Sequence, residues 1–441
     1  MSRTMSSPTV ETILNTIDDH EKEIVAFTRD LLRIPTVNAP PNGEEKEAQE
    51  FLAQRLIDIG LEPDLFCLDQ LEGLEGHPAY REGGSVEIPR DYRDRPDLVA
   101  TWKGKGGGRS LIVTGHADVV PPGNLDLWEH DPWAATLEDG NIYARGAIDD
   151  KGGLAAAVMA MACLKEAGVS LRGDLIFESF IDEEYGGGNG AVATLVRGYA
   201  ADAVLMLEPT DLIICPATYG CQTLKVSVHG QAAHPIERWK GVDAVGLACQ
   251  VYRAFSSLEA MRGDKVRASW PLFGQQEIPL PLIVRRFESF TPGGGATPDL
   301  CEIQIWTTVM SGETQESLVT EVREHLAEAL KNSAWLRSHP PQVRAMGGFL
   351  EGTALPTDHE CVCAVQAAHR MALGAEPSMG VGTSGDGYIY ANYGHMPVIE
   401  MGPGPVHRAH APDEYITVEE LMAATKVIAL TIANWCGTMD G

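Results

Sequence analysis

One pattern constrains this sequence more than any other. An apolar run, long enough for a single buried strand, stops abruptly in a carboxylate or an imidazole beside glycine or proline. The sharpest case is the run Leu175 to Phe180, followed by Ile181-Asp182-Glu183-Glu184-Tyr185-Gly186-Gly187-Gly188. The run reads as a strand and the glycines as a sharp exit, which puts two adjacent glutamates at a strand's carboxyl end. Catalytic groups of α/β proteins collect at such ends. Neighbouring side chains point differently there, so one carboxylate can bind a metal while the other moves protons. Taken alone, the stretch reads first as an acidic turn on a solvated face. The rest of the chain changes that reading.

Ser110 to Gly115 is a strand running into Gly115-His116-Ala117-Asp118-Val119-Val120-Pro121. A period of two sets His116 and Asp118 on one face, so that one can bind metal while the other orients a ring. Ala203 to Leu207 is a further buried strand, ending in Glu208-Pro209-Thr210. Asp149 and Asp150 lie in a glycine-flanked loop just before the apolar helix Leu154 to Ala167. One aspartate could cap that helix, but capping does not account for two. Near the C-terminus the strand Pro397 to Met401 leads into a stretch containing His407, His410, Pro412, Asp413, Glu414 and Tyr415.

Between these motifs the periodicity predicts one long helix from Val10 to Arg33, a second from Glu44 to Ile59, and strands at Pro63 to Leu68 and Leu98 to Trp102. The Gly-, Pro- and charge-rich excursion Leu71 to Asp97 is long for a compact domain, so it is a surface loop or a wall of the binding site. The surface loop is the expectation. After Glu208 the composition changes. An alternating strand Gln222 to His229, a helix Gly241 to Leu258, and strands Leu280 to Phe290 and Asp299 to Val309 around a Gly293-Gly294-Gly295 turn come first. A helix Glu313 to Asn332 and a strand Gln342 to Met346 complete a β-α-β-β-α-β order, that of a ferredoxin-like unit inserted into the larger domain. The main domain then resumes with a helix Glu360 to Leu373 and closes with a helix Thr417 to Asn434.

At 441 residues the chain is too long for one core and predicts two or three units. Its 62 acidic against 34 basic residues give a net charge of -28, which repels nucleic acid and anionic membranes. Nine cysteines, an odd number scattered mostly singly through apolar segments, fit reduced thiols better than a disulfide framework, and the pair Cys361 and Cys363 reads as core packing. The N-terminus lacks a signal-peptide pattern, and the longest apolar run, Leu154 to Leu164, is too short to span a bilayer. A cytoplasmic enzyme is expected.

Together these motifs, in this order, resemble the M20 family of metallopeptidases and deacylases, and the resemblance covers nearly the whole chain. It implies an α/β, zinc-exopeptidase-like three-layer catalytic domain with a mixed sheet (residues 1–219 and 347–441). It also implies an inserted ferredoxin-like α+β dimerisation domain (220–346). Carried over motif by motif, it makes His116, Asp149, Glu184, Glu208 and His410 the ligands of two zinc ions per subunit, with cobalt or manganese as alternatives. Asp149, not Asp150, bridges the metals, and His410, not His407, is the last ligand. Glu183 becomes the general base and Asp118 the residue orienting His116. His234, in Gly230-Gln231-Ala232-Ala233-His234-Pro235, is presented to the neighbouring subunit's active site, where it would bind the developing oxyanion. Such a shell of mixed nitrogen and oxygen ligands leaves an open position, as catalytic sites do.

Two departures concern the substrate. Many family members carry N-x-I-P in the insert and an Arg after S-D-G, both used on a substrate carboxylate. Here Gly295-Ala296-Thr297-Pro298 lacks the Asn, and Tyr388 stands where the Arg would fall. A carboxylate would then be read by other groups, such as Arg285 or Arg286, or be absent. The expectation is a homodimeric zinc amidohydrolase cleaving a small N-acyl amide. The alternatives are a dipeptidase or carboxypeptidase, an N-carbamoyl or N-formyl hydrolase, or a binding protein without catalysis. Retention of Glu183 speaks against the last.

Overall fold

The computed structural model describes residues 7–84, 87–291 and 295–439. The chain forms two compact units, one of residues up to Thr218 and from Thr353 onward, the other spanning Tyr219–Gly352. The return boundary lies six residues beyond the expected 346/347 junction. The strand Gln342–Leu350 continues past Met346 and pairs back to Cys221, which keeps it in the second unit.

The first unit is built on a nine-stranded mixed sheet. Its strands lie in the order Pro63–Cys67, Pro96–Trp102, Leu175–Phe180, Leu111–His116, Val204–Pro209, Val398–Gly402, Ile214–Thr218 and Thr353–Ala354, with Met379–Gly382 also paired to Ile214–Thr218. Leu175–Phe180, Leu111–His116, Val204–Pro209 and Val398–Gly402 run parallel, and every residue in these four is buried. That is why they read as mainly apolar runs, with Glu178 and Glu400 as buried exceptions: parallel strands are covered on both faces. Leu111, Val113, Leu175, Phe177, Leu205 and Leu207 share one core with the helices Lys151–Glu166 and Val418–Cys436. The alternate residues Ile112, Ile176 and Met206 are buried on the opposite face. The helix Asn189–Arg197 lies against Pro96–Trp102 and Leu175–Phe180. The helix Lys151–Glu166 is buried along almost its whole length, as its apolar, alanine-rich sequence demands.

The second unit is a four-stranded antiparallel sheet in the order Leu282–Phe290, Leu300–Val309, Gly220–His229, Gln342–Leu350. Leu224, Val226 and Val228 alternate inward and pack with Val251 and Phe255 of the helix Ala244–Ser269 and with Leu318 and Val322 of Gln315–Ala329. With strand order 2-3-1-4, this is a ferredoxin-like sheet. Gly293 and Gly294 of the expected glycine turn lie outside the described residues.

Two expectations about elements fail. The single helix Val10 to Arg33 is two, Ser7–Asp19 and Glu21–Leu32, separated at His20, whose ring reaches back to the Thr16 carbonyl. The excursion Leu71 to Asp97 is not a free surface loop. Arg95 pairs with Glu45, and Arg90 with Asp182, both as buried ion pairs. Charges in a composition do not reveal that their partners lie across the fold.

Candidate metal centre

The parallel strands bring the motifs together because their carboxyl ends coincide. His116, the last residue of its strand, is in register with Phe180, and the acidic turn 182–184 follows immediately. Glu208 ends the neighbouring strand on the other side. Asp149 precedes the N-terminus of the helix Lys151–Glu166, and His410 follows the strand Val398–Gly402. Asp150 stands at that helix's N-cap position but makes no side-chain cap.

Five of these residues form two groups that could hold metal ions, His116, Asp149 and Glu208 in one and Asp149, Glu184 and His410 in the other. Within each group the ligand atoms lie within 4.8 Å of one another. His116 Nε2 is 3.0 Å from Asp149 Oδ1 and 4.0 Å from Glu208 Oε1. His410 Nε2 is 3.1 Å from Asp149 Oδ2 and 3.1 Å from Glu184 Oε1. Asp149 therefore offers one oxygen to each group. Glu183 joins neither. It stands beside Glu208 under Gly385, where an added Cβ would lie 3.0 Å from Glu208 Oε1 and 3.4 Å from Glu183 Oε1.

The electrostatics call for cations. Burial pushes Glu208 up to about 7, and the neighbouring charges of Asp149 and Glu184 add to the shift against the opposing pull of His116. Burial likewise drives Glu183 well above the carboxylate range, with Glu208, Asp386 and Glu184 contributing. Asp149 is the exception. Burial would raise it, but hydrogen bonds to His116 and His410 hold it well below the usual carboxylate range. His410, bonded to Asp149 and Glu184, is raised to about 10. Glu208 Oε1 is buried without a hydrogen-bond partner among the described residues. Four clustered carboxylates, two imidazoles and an orphaned acceptor fit a pair of divalent ions, which would displace protons from both rings.

A buried network fixes these groups. His116 Nδ1 lies 2.9 Å from the main-chain oxygen of Asp118 and 3.6 Å from its Oδ1. The Asp118 carboxylate also accepts the Glu183 and Glu184 amides at 3.2 and 3.0 Å, so it holds the acidic turn as well as the ring. Asn38 donates to Asp118 Oδ2 at 2.8 Å. Glu414, paired with Arg145 at 2.6 Å, accepts the amides of Ile148 at 3.0 Å and Asp149 at 3.3 Å. Sequence reasoning missed both Asn38 and Glu414 in these roles. Glu414 sat beside the His410 motif and could have been suspected, whereas Asn38 carried no signal.

The other singled-out residues belong to neither metal-binding group. His234 is exposed at the start of the helical turn Pro235–Lys240, and its Nδ1 accepts the Ile236 amide at 3.3 Å. Arg285 lies over the Trp306 ring, and Arg286 pairs with Glu288. Tyr388 is buried, with the Arg81 guanidinium 5.2 Å from its ring centre.

An α/β scaffold that gathers two imidazole–carboxylate groups around a shared aspartate at the ends of its parallel strands is that of a metal-dependent hydrolase. The chain belongs to peptidase family M20/M25/M40, whose model matches residues 112–434. It is 27% identical over 455 aligned residues to the N-formyl-4-amino-5-aminomethyl-2-methylpyrimidine deformylase of Halalkalibacterium halodurans, covering 97% of each chain. It is 32% identical over 220 residues to the succinyl-diaminopimelate desuccinylase of Methylorubrum populi, covering 48% of this chain and 50% of that one. Its fold matches the aminopeptidase PepT of Bacillus cereus with a TM-score of 0.68 at 21% identity, over 95% of this chain and 99% of that one. The chain is thus a metal-dependent hydrolase of amide C–N bonds. Among the described residues no helix is long and apolar enough to cross a membrane.

Proposed function

We propose that this protein is a cytoplasmic, dinuclear zinc amidohydrolase that removes a small acyl group, formyl first among the candidates, from an amine. The observation that carries the reading is the division of labour among the carboxylates. Asp149 serves two imidazole groups at once, while Glu183, half-buried beside Glu208, belongs to neither. His116, Asp149 and Glu208 would hold one ion, and Asp149, Glu184 and His410 the other, with cobalt or manganese suited to the same donors. The ions, when bound, supply Lewis acidity and a water activated near neutral pH. Glu183 accepts that water's proton and returns it to the leaving nitrogen.

The choice of acyl group rests on two supports. Two relatives similar over nearly the whole chain are N-formyl-4-amino-5-aminomethyl-2-methylpyrimidine deformylases, a name that carries no carboxylate. In this chain Tyr388 replaces the arginine that many family members direct at a carboxylate.

The inserted unit is read as the dimer contact. Ile236 and Trp239 beside His234 are 76% and 72% exposed, and Ile283, Phe287 and Phe290 project from an edge strand, an apolar surface suited to a two-fold partner. His234 would then act on the substrate bound by the neighbouring subunit. The test is a hydrolysis screen of metal-loaded protein against N-formyl amines, N-acyl and N-carbamoyl amino acids and dipeptides. N-formyl amines are expected to turn over fastest. Cleavage of dipeptides with N-formyl amines untouched would overturn the reading.

A further inference from the structure

Two side chains of the excursion Leu71 to Asp97, Arg90 and Tyr92, are unused by the chemistry and converge on one residue, Asp182. Arg90 Nε donates to Asp182 Oδ1 at 2.8 Å, and the ion pair is fully enclosed. Tyr92 donates its hydroxyl to Asp182 Oδ2 at 2.7 Å and itself accepts from Asn189 Nδ2 at 2.6 Å. Asn189 also grips the Arg81 main chain, through its amide at 3.0 Å and its carbonyl at 2.7 Å. Arg90 Nη1 donates to the Ile88 carbonyl at 2.7 Å, so the excursion is tied to the same guanidinium. Its backbone presses on the acidic turn directly. At Gly84 an added Cβ would lie 3.1 Å from the carbonyl oxygens of both Tyr185 and Gly186.

Asp182 is the residue immediately before Glu183, and its backbone is held at φ +64°, in the left-handed region that side chains seldom occupy. Tyr185, on the other side of the glutamate pair, has φ +65°. A turn bent twice in this way keeps its shape only when its surroundings over-determine it. Asp118 holds the Glu183 and Glu184 amides from one side, and Asn38 reaches Asp118, Asp182 Oδ1 and the Glu184 carbonyl at 2.8, 3.2 and 3.3 Å. The far side of the turn is gripped by Arg90 and Tyr92.

We propose that Arg90 and Tyr92 clamp Asp182, and are positioning residues which, through it, fix Glu183 where it can move protons. The idea rests on the reading of Glu183 as the proton acceptor. A misplacement of about 1 Å at such a group costs on the order of a hundredfold in rate, so the clamp acts on turnover and not on substrate affinity.

Full-length, zinc-loaded Arg90→Met, Arg90→Lys and Tyr92→Phe proteins test it by two independent readings. In Arg90→Met, amide hydrogen exchange across 182–188 should accelerate at least about tenfold with 111–116 unchanged, and bound zinc should stay at the wild-type level. On the best N-formyl substrate, kcat should fall at least about tenfold with KM within about twofold. Arg90→Lys should recover part of the loss, and Tyr92→Phe should show a smaller change in the same direction. Unaltered exchange across 182–188 in the folded variants overturns the clamp, as does a loss confined to KM. Should Arg90→Met fail to fold, Arg90→Lys and Tyr92→Phe decide by the same readings. Should the wild-type protein cleave no amide, the proposed function fails while hydrogen exchange still judges the clamp.

Discussion

The insert and the metal centre treat buried charge in opposite ways. In the insert, Arg262 is almost fully enclosed, yet it pairs with Glu313 at 2.7 Å and Glu321 at 2.9 Å and donates to Thr307 and to the Thr308 carbonyl. The fold supplies every partner that this charge needs. In the catalytic unit, Glu208 keeps an enclosed oxygen with no partner, and burial holds Glu183 far from its ordinary titration range. A satisfied buried charge belongs to the architecture. A cluster left short of cations marks a place where something else binds. The insert's own candidate for chemistry, His234, lies on an exposed turn.

The contrast is broken most directly by removing metal. Chelation should abolish hydrolysis reversibly, with two divalent ions per chain restoring it, and metal analysis beside the assay checks this. Full activity in metal-free protein would sink the ligand assignment. The next largest effect separates the two adjacent glutamates. Glu183→Gln should lower kcat by at least about a hundredfold with metal content unchanged, whereas Glu184→Gln should lose metal. The reverse pattern would exchange their roles.

The insert is probed by His234→Ala. The expected loss is about a hundredfold to a thousandfold in kcat, with metal content and dimer mass unchanged. Mixing this chain with Glu183→Gln should restore part of the activity, because one site of each heterodimer then has both groups intact. A mixture no more active than its parents, after proven subunit exchange, excludes action across the interface.

The smallest effect is a pH slope confined to the metal-free protein. Glu208 is a carboxylate raised from 4.5 to about 7, so folding is favoured below 4.5 and the advantage disappears as pH climbs through about 7. His410 is an imidazole raised from 6.5 to about 10, so its contribution is complete below 6.5 and lost as pH climbs through about 10. Both shifts have the same sign. The unfolding free energy of metal-free protein, from denaturant titrations, should therefore fall between about pH 5 and 10, by an amount on the order of 3 kcal/mol for a shift like that of Glu208. Metal loading should flatten the slope. A metal-free protein whose stability rises over that range would contradict the cluster as described.

The sequence by itself determined the strands, because parallel strands covered on both faces are mainly apolar, and it determined which polar residues end them, because those ends stand out against apolar runs. His116, Glu184 and Glu208 were legible for that reason, and Asp149 and His410 through the order of motifs around them. The β-α-β-β-α-β order likewise identified the insert. Tertiary structure alone decided what lies across the fold from each motif. Asn38 is one asparagine in a loop until the chain brings it against Asp118 and Asp182, 80 and 144 residues away. Arg90 and Tyr92 sit in a charged, glycine-rich segment that reads as solvated surface, and only folding places their partner beneath them. Local pattern reports burial and chain direction. The partner of a buried polar group is set by which distant segments the packed core brings together, and no local period encodes it.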